Sequence, residues 1–373
     1  MKRLILSFDG TWNTPGNDGD EDKDTSTNVY RLHEAILKND SNGTKQRVWY
    51  DKGVGTDWYN RLTGGIAGVG LSKNIRQGYK ELAKHYKEGD EVFVFGFSRG
   101  AYSARSLVGL IRNCGILKQP DKKLIDEAYQ IYRTRDEGAD SDQARAFRRE
   151  TAHAGEPTIK CLGVWDTVGA LGVPVHSFDS FNKKFYQFHD TGLSGIVMNA
   201  FQALAIDEHR REYEATLWNS SRRPDQRVEQ VWFPGAHSNV GGGYSGDKLA
   251  DVTLRWMMDR ANECGLALDE AKRPQLGAEH WTFELKDSFS EFLLGLYRFL
   301  NSRHYRPIGS TQNGCEKLDT ASLSRYSRCA YQPKNEIGEY LGCESASAET
   351  VQSLVGGKIW HLLQKLGSTS DQD

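Results

Sequence analysis

A chain of 373 residues with a formal net charge of -2 and a charged fraction of 26 % carries no basic field able to hold a phosphate backbone, so nucleic acid is excluded as a partner. No stretch approaches 18 consecutive apolar residues, and the short apolar run after Lys2 and Arg3 is cut at Asp9, so neither a membrane-spanning helix nor a cleavable signal peptide is expected. Synthesis as a soluble cytoplasmic protein follows, with any export left to a specialised secretion system that reads no cleavable signal.

In chain order, 3–8 reads as a buried strand, followed by a polar loop to Thr27 and an amphipathic helix over about 28–38. Residues 46–50 make a second strand. Glycines at 64, 65, 68 and 70 lead into a helix over about 72–86, and 91–97 is a third strand that runs into Gly96-Phe97-Ser98-Arg99-Gly100. A helix over 101–113 follows at once. The charged stretch 122–156 has a helical pattern and reads as a surface insertion, after which 159–165 returns to buried-strand character. Five aromatic residues sit among polar ones between 177 and 195, a composition that suits a lid. Ile196, Ala200, Phe201, Leu204 and Glu208 fall at helical spacing, 228–233 is the next strand, and helices are expected over 254–264 and 289–300. The alternation predicts an α/β fold: a mainly parallel sheet, helices on both faces and a partly helical cap. One catalytic domain over 1–310 and an extension over 311–373 that packs on it, with a disordered tail at 367–373, is the expected organisation.

The segment 91–105 has the form of a nucleophile elbow, in which a serine between small residues turns sharply from strand to helix. A serine hydroxyl is a weak nucleophile at neutral pH, so it needs a histidine to take its proton and a carboxylate to hold that histidine. Asp166 ends an apolar strand and opens a Gly-containing loop, and His237 follows another strand before Gly241-Gly242-Gly243. Their order after Ser98 is the one that this fold requires. His176 and His189 are the rivals to His237, and Asp207, Asp247 and Asp251 the rivals to Asp166. The oxyanion needs backbone N–H donors, for which Arg99 and the Gly10-Thr11 turn after the first strand are the candidates. Phe97, Trp12, Phe181, Phe185 and Tyr186 are the candidate substrate-binding side chains.

Other signals fail on inspection. Phe8-Asp9-Gly10-Thr11 resembles an aspartate phosphatase site but has Ser7 where the nucleophile belongs, and the 65–72 glycine run has Leu71 where a phosphate loop needs lysine. Alternating aspartates from 18 to 24 lack the glycine and glutamate of a calcium loop. The run Asp207-Glu208-His209-Arg210-Arg211 reads as an ion-paired helix end that could include a substrate-binding arginine. Six cysteines without Cys-x-x-Cys spacing argue against zinc, and neither a metal nor a cofactor is expected.

Leu4 to Asn13, Gly96 to Arg105, Gly163 to Gly169, Ala205 to Arg210 and Trp232 to Gly243, in this order, resemble a bacterial and fungal α/β-hydrolase family long catalogued as a domain of unknown function. Its best-understood relatives are antibacterial phospholipase effectors of the type VI secretion system. The resemblance implies a Ser-Asp-His triad, which lands on Ser98, Asp166 and His237. The function expected is a serine hydrolase that cleaves carboxylic acyl esters, lipase or phospholipase in kind, through an acyl-enzyme. Its substrate would be an acyl ester or phospholipid, with transient membrane-surface contact through the aromatic segment or the 289–300 helix. The competing readings are a non-catalytic binding protein that keeps the fold and a metal-dependent phosphoester hydrolase built on Asp9.

Overall fold

The computed structural model describes residues 1–10, 25–53, 65–134, 139–169, 192–218, 223–277, 282–292, 297–312, 315–319, 322, 324–325, 331, 333–336 and 341–343. The first apolar run forms strand β1 (Arg3–Phe8), and all of it is buried. Its alternating side chains divide between two cores: Leu4, Leu6 and Phe8 join one, Ile5 the other. Strand β3 (Glu91–Phe97) splits the same way, with Val92 and Val94 on one face and Phe93, Phe95 and Phe97 on the other. A strand with apolar residues on both sides must be covered twice, which is what a parallel sheet between helical layers provides.

Among the described residues β1 and β3 belong to one sheet with β2 (Gln46–Asp51), β4 (Ile159–Trp165), β5 (Asn199–Ala205), β6 (Arg227–Phe233), β7 (Glu316–Leu318) and β8 (Gly342–Cys343). The order is β2-β1-β3-β4-β5-β6-β7-β8, with every neighbouring pair parallel. One face is covered by α2 (Gly65–His85), α3 (Arg99–Cys114), α4 (Lys122–Arg133) and α5 (Asp142–Thr151); the other by α1 (Asn28–Ala35) and α7 (Leu249–Glu263). The short α6 (His237–Gly241) lies between β6 and α7. From β1 the chain moves outward to β2 and then back across to β3, so the order reverses between β1 and β3. Adjacent connections there leave on opposite faces and open a crevice beyond the carboxyl ends of the strands.

The charged stretch expected at the surface is α4 and α5. Their N-termini are closed by Asp121, which accepts from Lys123 and Leu124 N–H, and by Ser141, which accepts from Ala144 N–H. Their apolar stripes, Ile125, Ala128 and Ile131 on α4 and Phe147 on α5, join the core that includes α3.

Three expectations are corrected. The helical spacing over 196–208 does not form a helix: 199–205 is strand β5, paired with β4 on one side and β6 on the other. Ala200, Phe201, Ala203, Leu204 and Ala205 are all buried, and a strand with both faces covered is a near-continuous apolar run in which some i, i+4 spacing is unavoidable. The run Asp207 to Arg211 is consequently a loop leaving β5, ending in a 3-10 turn at Arg211–Tyr213. The single helix expected over 289–300 is two short ones, α8 (Ser288–Glu291) and α9 (Tyr297–Leu300), with 293–296 outside the described residues. Among the described residues no helix is long and apolar enough to cross a membrane.

Candidate active site

The elbow is a matter of steric necessity. A Cβ on Gly96 would stand 2.6 Å from Gly100 O, and one on Gly100 would stand 2.2 Å from Phe8 O. Only glycine at both positions lets α3 begin directly against the ends of β3 and β1. Between them Ser98 is held at φ 58°, ψ -122°, a conformation that costs a side-chain-bearing residue about 1–3 kcal/mol. The hydrogen bonds Ser98 N–H to Trp165 O at 3.0 Å and Tyr102 N–H to Ser98 O at 3.2 Å keep it there.

Asp166 follows β4 and also has positive φ, 40°, with its N–H donated to Ala203 O at 2.7 Å. His237 begins α6, past the turn at Gly235, whose φ of 112° suits glycine. Phe97 and Tyr213 bracket the imidazole, at ring centroid distances of 4.7 and 5.0 Å. Phe97, named from sequence as a substrate contact, thus touches the histidine, and it fits tightly against α6, since a Cβ on Gly241 would lie 1.9 Å from its ring.

The three groups meet in one hydrogen-bonded line. His237 Nε2 lies 2.8 Å from Ser98 Oγ, and His237 Nδ1 lies 2.5 Å from Asp166 Oδ2. With Nδ1 donating to the carboxylate, Nε2 is the ring atom left to accept the serine proton. Asp166 is fully buried, which alone would push its pKa up. The Arg306 charge and then the His237 hydrogen bond outweigh burial and hold the carboxyl far below the usual carboxylate range.

None of the rival acids makes this contact. Asp207 accepts from Gly235 N–H at 2.7 Å and Tyr331 OH at 2.8 Å, Asp247 from Asn239 Nδ2 at 2.9 Å, and Asp251 from Arg31 at 2.6 Å. His176, His189, Thr11, Trp12, Phe181, Phe185 and Tyr186 lie outside the described residues.

Arg99 is the first residue of α3, so its N–H stands at the positive end of the helix beside Ser98. Gly10 is also close, since a Cβ there would lie 3.5 Å from Ser98 Cβ. Its N–H, expected to face an oxyanion, instead donates to Asp9 Oδ1 at 2.6 Å. Asp9 Oδ2 accepts from Thr27 Oγ1 at 2.6 Å and from Tyr50 OH. Three donors around one carboxylate describe an acid that organises the turn after β1.

Burial raises Asp9 from 3.8 to about 6, against the hydrogen bonds from Thr27, Tyr50 and Gly10. A folded-state pKa above the unfolded one means that the fold binds the extra proton, so the stability tied to Asp9 is present below pH 4 and is lost as pH rises through 6. Asp9→Asn cannot titrate. The stability of the wild type relative to this variant should fall by about 2.5 kcal/mol between pH 4 and pH 7, read from urea midpoints; a pH-independent difference would refute the assignment.

The sequence reading missed the groups behind the acid. Arg306, fully buried, sends Nη1 to Asp166 Oδ1 at 2.7 Å and Nη2 to Asp166 Oδ2 at 3.0 Å. Glu208 and Arg210, flagged as an ion-paired helix end, form a buried two-point pair on the loop after β5, with both contacts at 2.8 Å. A substrate-facing role for Arg210 is at odds with that pairing. Glu208 also accepts from His237 N–H at 3.3 Å and Ser288 Oγ at 3.0 Å.

A parallel sheet with a serine elbow at its point of reversal is an α/β-hydrolase architecture. Residues 2–260 match the family model described as the T6SS phospholipase effector Tle1-like catalytic domain, and the chain belongs to that family. It is similar to the uncharacterized protein YEL023C of Saccharomyces cerevisiae, 26 % identical over 235 residues, which is 57 % of this chain and 32 % of the yeast protein. Among solved structures it is similar to an uncharacterized protein from Pseudomonas aeruginosa, at 18 % identity and TM-score 0.45, over 81 % of this chain and 51 % of that one. A second is the Tle1 effector bound to the VgrG spike from the Type 6 secretion system, at 18 % identity and TM-score 0.46, over 74 % of this chain and 76 % of that one. The chain thus spans about a third of the yeast relative's length and half of the Pseudomonas protein's.

Proposed function

We propose that this protein is a serine hydrolase that cleaves carboxylic acyl esters of phospholipids through an acyl-enzyme, with Ser98, His237 and Asp166 as its triad. The observation that carries the reading is the line Ser98 Oγ, His237 Nε2, His237 Nδ1, Asp166 Oδ2, with contacts of 2.8 and 2.5 Å, at a strained elbow. Ser98 attacks the acyl carbonyl as His237 Nε2 takes the hydroxyl proton. The imidazolium so formed is held by Asp166 and returns the proton to the leaving alcohol or lysolipid oxygen. Water then repeats the sequence on the acyl-enzyme and frees the fatty acid. Negative charge on the carbonyl oxygen develops at the N-terminus of α3, where the Arg99 N–H and the helix dipole favour it; Gly10, beside Ser98, would join after leaving Asp9.

Family membership supports the phospholipid as substrate class. Phe299 and Leu300, 73 % and 85 % exposed beside Arg298, suit the brief contact with an anionic lipid surface that such a substrate demands, and export by a secretion system belongs to the same reading. Residues 1–310 would form the catalytic domain, and the extension that follows it contributes β7 and β8 to the sheet edge.

Incubation of the purified chain with a fluorophosphonate, followed by peptide mass spectrometry, should place one adduct on Ser98. Phospholipid vesicles should yield fatty acid and lysolipid. A folded protein that takes no label would overturn the triad, and turnover confined to short soluble esters would overturn the phospholipid assignment.

A further inference from the structure

Among the described residues Asp166, the acid of the proposed triad, has a second charged partner within hydrogen-bond distance besides His237. Asp166 receives both arms of Arg306, and Arg306 Nη1 also donates to Ala205 O at 2.8 Å, while Nη2 reaches Tyr213 O. Neither side chain is exposed to solvent. An arginine fork cannot lose its charge, so it offsets much of the negative potential with which Asp166 would otherwise favour a protonated histidine. Glu208 supplies a second carboxylate, itself fully buried and bonded to the His237 backbone N–H. Arg210, Arg306 and His237 hold Glu208 at about 2 against the upward push of burial, so it stays ionised throughout the working range.

The groups facing the imidazole come from several elements: Asp166 from the end of β4, Glu208 and Arg210 from the loop after β5, Tyr213 from the turn beyond it, and Ser98 from the elbow. Arg306 enters from the segment before β7, with Glu214 close to it, and Tyr244 lies near Arg210 and Glu208. The permanently charged or ionised members next to the histidine are two carboxylates, Asp166 and Glu208, and two guanidiniums, Arg306 and Arg210. They cancel in pairs, so a neutral imidazole completes a neutral cluster and each proton it takes is a net added charge.

We infer that Arg306 and Glu208 are positioning residues that set, from opposite sides, the charge against which His237 gains and loses its proton. The inference deepens the serine hydrolase reading and rests on it. It also places part of the active site at Arg306, beyond residue 260, where the family match ends.

The test is the pH dependence of kcat/KM for a soluble p-nitrophenyl ester, whose acid limb reports the base of the free enzyme. Arg306→Gln leaves the cluster one negative charge in excess and should move that limb up by about one pH unit. Glu208→Gln leaves one positive charge in excess and should move it down by about as much. Arg306→Lys keeps the charge without the fork, so kcat should fall while the limb stays. Should either glutamine variant not fold, Arg210→Gln tests the same charge count: it leaves one negative charge in excess and should raise the limb. Limbs that stay in place while kcat drops at every pH would reduce both residues to scaffolding and overturn the inference. Fluorophosphonate labelling separates the two levels: a labelled wild type with unmoved limbs rejects only this inference, and an unlabelled wild type rejects the reading beneath it.

Discussion

Alanine at position 98 is expected to lower kcat for ester hydrolysis by about 10⁴ to 10⁶ and to abolish fluorophosphonate labelling. Loss of the hydroxyl removes the atom that bonds to the acyl carbon, so His237 has nothing to deprotonate but water. Residual rate then comes only from binding and from donors to the oxyanion. The fold should persist. Serine and alanine meet similar backbone cost at φ 58°, and the Ser98 backbone contacts to Trp165 and Tyr102 do not involve the side chain. Circular dichroism and melting temperature should therefore match the wild type, and ester turnover within tenfold of it would remove Ser98 from the chemistry.

Asp166→Asn should damage activity and stability together, because this carboxylate serves two cations. For catalysis the amide no longer stabilises an imidazolium and can present the wrong face to Nδ1, a loss of about 10⁴ in kcat. For the fold, Arg306 keeps its charge with no exposed surface and without its counter-ion, which should cost about 3–5 kcal/mol at pH 7. The sign with pH is fixed by the depressed carboxyl. Its stabilisation is present above the unfolded value near 4 and is lost as pH falls below it, so the gap between wild type and variant should narrow from pH 7 toward pH 3. Urea unfolding at those two values tests this, and a gap that widens in acid would contradict the ion-pair account.

Ser98, Asp166 and His237 stood out in the sequence because each stands just past an apolar strand, where a parallel sheet collects its strand ends; His237 lies within hydrogen-bond distance of each of the other two. The alternation of strand and helix was legible for the same reason up to β4. It failed at β5, where burial on both faces erases the period that separates strand from helix, and this misread strand carried the Glu208 loop with it. Arg306 gave no signal at all. It sits in the run Asn301-Ser302-Arg303-His304-Tyr305-Arg306-Pro307, which has no apolar period, and what makes it distinctive is a partner 140 residues earlier in the chain. Gly10 was read as an oxyanion donor from its place after β1; the carboxylate beside it competes for the same N–H, a contest that spacing alone does not reveal.

Two of the three groups in the proposed triad, Ser98 and Asp166, sit at positive φ, 58° and 40°. Glycine would relieve either backbone at little steric cost. A laboratory selection that rewards heat tolerance without asking for turnover should therefore drift toward glycine at position 98, gaining on the order of 1 kcal/mol there while erasing the nucleophile. Position 166 would resist the same drift, since losing its carboxylate strands Arg306 in the core. The two strained sites, alike in backbone, would thus part ways under selection, one kept by activity and the other by the fold itself.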